Sequence, residues 1–249
     1  LEPVLRRPQF KSDDPQDEAY RVLRSNLAVA LADIDRPSIA VTSSQPGEGK
    51  TATTVNLARS MALAGRRVVL VDLDLRHPDS HRWLGAHNER GVSDVLLDRL
   101  PLDDALQYVS LSPDSDQNQT GFYLLATGPQ VGNPAELLGT RRTFDMLQRL
   151  GREADLVLID TPPALLVADT LVVSRMAGGV LLVVEPRRTP LAAVQRAKDA
   201  ITRNQGRILG LVINKYQAKD APDATYGYGY GYGYGSKHDA AADANGNPT

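Results

Sequence analysis

Apolar positions along the chain follow two rhythms. Short, nearly unbroken apolar runs occur at Ser38–Thr42, Arg67–Leu73, Asp155–Ile159, Val180–Val184 and Ile208–Ile213, with a further strand expected at Phe122–Ala126. Runs of this length and continuity suit parallel strands buried on both faces. Between them lie stretches with a period near 3.6, which predict helices over Asp14–Asp33, Gly49–Ala64, Pro134–Leu150, Val167–Met176 and Leu191–Arg203. Gly65 reads as the stop signal of the second helix, and Pro134 sits in the first turn of the third. Residues 76–121 are less regular, with short helices expected at Val92–Leu97 and Asp103–Val109 and a polar loop at Ser112–Thr120. Strands alternating with helices predict a three-layer α/β/α fold, a mostly parallel sheet with helices on both faces.

From about Lys219 the composition turns to Gly, Tyr, Asp, Asn and Ala with no apolar period. The expected organisation is an arm at 1–13, a folded domain at 14–218 and a disordered tail at 219–249. That tail holds a strict alternation, Tyr226, Tyr228, Tyr230, Tyr232 and Tyr234, with Gly between them. Exposed phenols at every second residue suit a phosphoacceptor. A flexible aromatic tail prone to self-association is the alternative.

Composition narrows the chemistry. The 249 residues contain no cysteine, which excludes disulfides, iron–sulfur clusters and thiolate zinc sites. A net charge of −2 gives no global attraction to nucleic acid. No apolar run approaches the roughly 20 residues of a membrane helix. A start at Leu1 rather than Met leaves room for a longer chain upstream.

The chemistry-bearing motif is Ser44-Gln-Pro-Gly-Glu-Gly-Lys-Thr51, placed after a strand and before a helix. That context identifies a phosphate loop. Gly47 and Gly49 let backbone N–H groups turn toward phosphate oxygens, with Glu48 and Ala52 in the same cradle. The helix N-terminus adds its dipole. Lys50 suits the β/γ-phosphates and the Thr51 hydroxyl suits Mg²⁺. The usual first glycine is Ser44 here. Asp72 and Asp74 close one apolar strand and Asp160 closes another, where open α/β sheets bind ligands. Asp160 stands where a Walker B carboxylate would meet Mg²⁺.

Three segments then carry a resemblance: Ser43–Thr51, Val71-Asp-Leu-Asp-Leu-Arg-His-Pro78 and Leu158-Ile-Asp-Thr-Pro-Pro163. They resemble the Walker A, A′ and B motifs of bacterial tyrosine kinases, the autokinases of polysaccharide export systems. Glu18-x-x-Arg21-x-x-Arg24 resembles that family's oligomerisation motif. Asn133-Pro-Ala-Glu-Leu-Leu138 and the tyrosine ladder resemble two further family segments.

The resemblance implies ATP on Gly47–Thr51, Mg²⁺ on Thr51, Asp74 and Asp160, and Asp72 orienting or deprotonating the phenol. It implies adenine near Asn214, and leaves Arg76 either guarding the phosphates or in an ion pair. It also implies a ring of copies, each feeding its tail to a neighbour, and a membrane polysaccharide co-polymerase activator, fused upstream or separate. A tyrosine phosphatase and a place at the inner face of the cell membrane complete the expected setting. Septum- and chromosome-positioning ATPases are the competing class. Their loop carries a signature lysine where this chain has Gln45, and they lack the ladder. A nucleotide-gated scaffold is a non-enzymatic alternative.

Overall fold

A computed structural model describes residues 15–32, 34, 37–111 and 120–216. The arm at 1–13 and the tyrosine tail lie outside the described residues. Strands β1 (Ser38–Ser43), β2 (Val68–Asp72), β3 (Gln107–Ser110), β4 (Gly121–Leu125), β5 (Leu156–Asp160), β6 (Gly179–Val184) and β7 (Ile208–Ile213) form one sheet. Helices are α1 (Pro15–Ala30), α2 (Lys50–Leu63), α3 (Ser80–Leu84), α4 (Val92–Leu96), α5 (Leu102–Ala105), α6 (Pro134–Leu138), α7 (Arg141–Glu153), α8 (Asp169–Ser174) and α9 (Leu191–Arg203).

The strand order is β3-β4-β2-β5-β1-β6-β7. All pairings are parallel except that of β3 with β4. The apolar runs explain why. In β1, Ile39 and Val41 pack with α1 and α2 residues such as Leu27, Val55 and Leu57, while Ala40 joins the opposite cluster with Leu147, Val173 and Ala197. In β2, Leu70 faces the first cluster and Val69 and Val71 the second. β1 and β2 therefore bury both faces, whereas β7, expected from its apolar run to do the same, is a partly exposed edge strand with Leu211 and Ile213 open to solvent. This is the three-layer architecture expected from the sequence, a P-loop NTPase fold.

Three local expectations are corrected. The helix expected at Asp103–Val109 stops at Ala105, because Leu106 turns extended (ψ 133°) and the next residues pair with β4. Tyr108 and Tyr123 stack edge to face across that pair, with ring centroids 5.3 Å apart. The helix expected at Pro134–Leu150 is two helices. Thr140 is extended (ψ 157°) and its hydroxyl donates back to the Leu137 carbonyl at 2.8 Å, closing the first helix before α7 begins. Helix α3 was absent from the sequence reading. Among the described residues, no helix is long and apolar enough to cross a membrane.

Helix α1 also resolves the Glu18, Arg21, Arg24 stripe into two parts. Glu18 and Arg21 pair with each other at 2.7 Å in solvent. Arg24 instead turns inward and donates to the Ser60 carbonyl of α2 at 2.8 Å. Arg21→Ala should therefore move the melting temperature by about a degree or less, since an exposed i,i+3 pair contributes only about 0.2–0.5 kcal/mol. Arg24→Ala should lower it by a few degrees, through loss of a charged hydrogen bond at a half-buried contact, about 1 kcal/mol. Equal effects of the two variants in thermal unfolding would contradict this division.

Candidate nucleotide and phosphoryl-transfer site

The site forms where the C-terminal ends of the parallel strands converge. β1 leads into the phosphate loop, β2 ends at Asp72 with Asp74 just beyond it, β5 ends at Asp160, and Asn214 directly follows β7. Within the loop Gly47 and Gly49 adopt φ of +80° and +93°, the left-handed region that side chains resist. At Gly49 space is limiting as well: an added Cβ would lie 2.0 Å from the Asn214 amide nitrogen.

Glu48 is fully buried, and its side chain turns away from any ligand. Its carboxylate accepts from the Ser44 hydroxyl (3.2 Å), the Gln45 N–H (2.9 Å) and the Thr189 hydroxyl. Only the backbone of Glu48 can therefore serve a nucleotide. The departure at Ser44 also gains a reason, because a glycine there could not donate to that buried carboxylate. Ala52 follows in the first turn of α2, half-buried.

The acidic cluster is dense. Asp72 and Asp160 are register partners on neighbouring strands, and both are fully buried. The Lys50 ammonium lies 2.9 Å from Asp74 Oδ2, and the Thr51 hydroxyl donates to Asp160 Oδ2 at 2.6 Å. Burial works against charge on Lys50, but Asp160, Asp74 and Asp72 outweigh it and raise its pKa. Burial is also the first cause of the raised carboxyl values. Asp160 is pushed up to about 6, with Lys50 and Thr51 pulling it back. Asp72 is pushed up to about 7, with Asp160 adding repulsion.

Both carboxylate oxygens of Asp72 already accept backbone hydrogen bonds. Its Oδ1 accepts the Asp74 N–H at 3.1 Å, and its Oδ2 accepts the N–H groups of Ser80 (3.1 Å) and Asp79 (3.4 Å). These bonds tie Asp72 to the turn that carries Asp74. Asp160 differs, because its Oδ1 is buried with no hydrogen-bond partner. An orphaned carboxylate oxygen beside a threonine hydroxyl fits a hard cation such as Mg²⁺. No cluster of three or more acidic, histidine or cysteine side chains among the described residues forms a self-contained cage. Mg²⁺ suits such an open set, since it usually completes its shell with phosphates and water.

Arg76 forms a two-pronged ion pair with buried Asp169, at 2.8 and 3.0 Å. That answers in favour of the ion pair the question left open by sequence. The sequence reading missed Ser80, whose buried hydroxyl lies 3.4 Å from Asp160 Oδ2. It also missed Arg188, Thr189 and Lys215, which reach the phosphate loop from the ends of β6 and β7. The rule that strand ends bind ligands pointed to these places, but no motif marks the residues. Tyr226–Tyr234 fall outside the described residues.

This fold and loop define a P-loop NTPase of the ParA type: residues 36–242 match the family described as "ParA: NUBPL iron-transfer P-loop NTPase". Within that class the chain belongs to the bacterial tyrosine-kinase family. It is 34% identical over 211 residues to tyrosine-protein kinase YwqD of Bacillus subtilis, covering 84% of this chain and 86% of the relative. It is 32% identical over 215 residues to tyrosine-protein kinase etk of Escherichia coli, covering 84% of this chain but only 28% of that longer relative. The solved kinase domain of Escherichia coli ETK superposes with a TM-score of 0.76 at 30% identity, covering 85% of this chain and 80% of that one.

Proposed function

We propose that this chain is an ATP-dependent protein-tyrosine autokinase that phosphorylates its own tyrosine ladder. The observation that carries the proposal is the meeting of Lys50, Thr51, Asp74 and Asp160 at the strand ends, in a chain that also bears Tyr226–Tyr234. Thr51, Asp74 and Asp160 would hold Mg²⁺, which when bound neutralises charge on the β- and γ-phosphates. Lys50 must exchange Asp74 for a phosphate oxygen. Its raised pKa keeps it cationic while it does so. A bond then forms from the phenolic oxygen to the γ-phosphorus as the bond to ADP breaks, and the acidic cluster takes up the phenolic proton. Asp72 contributes by fixing the turn that places Asp74. Most of the rate gain in such a site is positioning and charge balance rather than proton transfer. Asn214 remains the adenine-side candidate.

The ladder is served in trans within a ring of copies, with Glu18 and Arg21 on the exposed side of α1 as the contact. A membrane polysaccharide co-polymerase is the activator and a tyrosine phosphatase resets the tail. The assembly works at the inner face of the membrane in capsular or exopolysaccharide export. Mixing two defective variants tests this. Lys50→Met keeps the acceptors, and a variant with all five ladder tyrosines changed to Phe keeps the site. Phosphate on the tail of the Lys50→Met partner is expected. Phosphate on the wild type but none in the mixture would mean transfer in cis. A positioning ATPase is the second reading, and it predicts hydrolysis with an unmodified tail.

A further inference from the structure

Three successive carbonyls of the phosphate loop accept hydrogen bonds from side chains elsewhere in the chain. The Pro46 carbonyl accepts from Arg188 at 3.3 Å. The Gly47 carbonyl accepts from Lys215 Nζ at 2.8 Å and from Arg188 at 3.4 Å. The Glu48 carbonyl accepts from Asn214 Nδ2 at 2.9 Å. Glu185 Oε2 holds both cations, Lys215 at 2.9 Å and Arg188 at 3.2 Å. Lys215 has a φ of +56°, a costly conformation for a side-chain residue, kept where its ammonium reaches the loop.

A trans peptide sets each C=O opposite the N–H of the following residue. Tying the carbonyls of 46, 47 and 48 to these side chains therefore turns the N–H groups of 47, 48 and 49 to the other side, into the cradle. We infer that Arg188, Asn214 and Lys215 are positioning residues that hold the phosphate loop with its amides aimed at the phosphates before nucleotide arrives. Such an anion hole costs no reorganisation on binding. The inference rests on the nucleotide-site reading above and deepens it. It gives Asn214 a part on the loop itself, beside any contact with the base.

The test uses Arg188→Ala plus Lys215→Ala, two exposed residues whose loss should leave the fold intact. Hydrogen–deuterium exchange of residues 45–50 is followed in the chain without nucleotide. Binding of fluorescent ADP and ATP analogues is measured in parallel, with and without Mg²⁺. Faster loop exchange and about tenfold weaker binding of both nucleotides are expected. Lys215→Arg should restore both readouts, because a guanidinium can still donate to the Gly47 carbonyl. Weaker binding with unchanged exchange would mean that the cations touch phosphate directly, and would overturn the bracing role. Unchanged binding would overturn it too. Wild-type protein that binds no nucleotide would instead remove the reading beneath it.

Discussion

Lys50→Met is expected to lower phosphotyrosine formation by at least about a hundredfold, the loss typical when one preorganised charge donor leaves a phosphoryl or acyl transition state. Two observations set that size. The ammonium is the cation that faces the cluster of Asp72, Asp74 and Asp160, and its side chain is only 13% exposed. Methionine preserves the aliphatic volume, so the change removes charge rather than packing. With the cation gone, the carboxylates repel one another more strongly and their protonated forms gain. The variant should fold, bind nucleotide more weakly and transfer almost nothing. Rates within threefold of wild type at saturating ATP would show that Lys50 does not meet the transferring group.

Asp160→Asn should be nearly as damaging to activity, and informative about the empty-handed enzyme as well. A side chain that offers the metal only a neutral amide oxygen should raise the Mg²⁺ needed for half-maximal transfer by at least about tenfold, by analogy with the cost of disturbing metal shells. The same change should flatten an unusual pH dependence of stability. Asp160 and Asp72 have folded-state values of about 6 and 7, above the ordinary 3.8. Between roughly pH 4 and pH 7 the folded chain therefore binds more protons than the unfolded one, and stability falls as pH rises through that window. Below it the sign reverses, because Asp155, held low first by the Arg67 hydrogen bond, and Glu185, held low first by Lys215, favour the fold only while ionised. The ligand-free protein should melt higher near pH 5 than at pH 7.5. Asp160→Asn should lose much of that difference. Thermal unfolding across this range checks it, and melting that rises steadily toward pH 7.5 would contradict it.

The parts of the account legible in sequence are those written in local pattern. Ile39-Ala40-Val41 and Val69-Leu70-Val71 had to be two-faced strands, because neither face offered a polar side to water. Gly47, Gly49, Lys50 and Thr51 fall within five consecutive residues and declare a phosphate loop by themselves. Asp72 was legible as a strand-end acid but not as a buried anchor, since the amides that occupy it come from the following turn. The break at Thr140 depends on a hydroxyl returning to Leu137, which apolar spacing does not record. Arg24 shares a helical stripe with Glu18 and Arg21, yet packing against α2 draws it inward. Arg188 and Lys215 meet the loop across 141 and 168 residues of sequence. Contacts of that range follow from sheet order, which places β6 beside β1 and β7 next to β6, and no local pattern encodes them.

Phosphorylation of tyrosines on its own chain is the activity proposed for this site. Its most direct test is incubation of the purified protein with Mg·ATP, followed by mass-spectrometric mapping of phosphate beside a Lys50→Met control. Phosphate is expected on Tyr226, Tyr228, Tyr230, Tyr232 and Tyr234, and none of it in the control. ATP hydrolysis with an unmodified ladder would contradict the proposal.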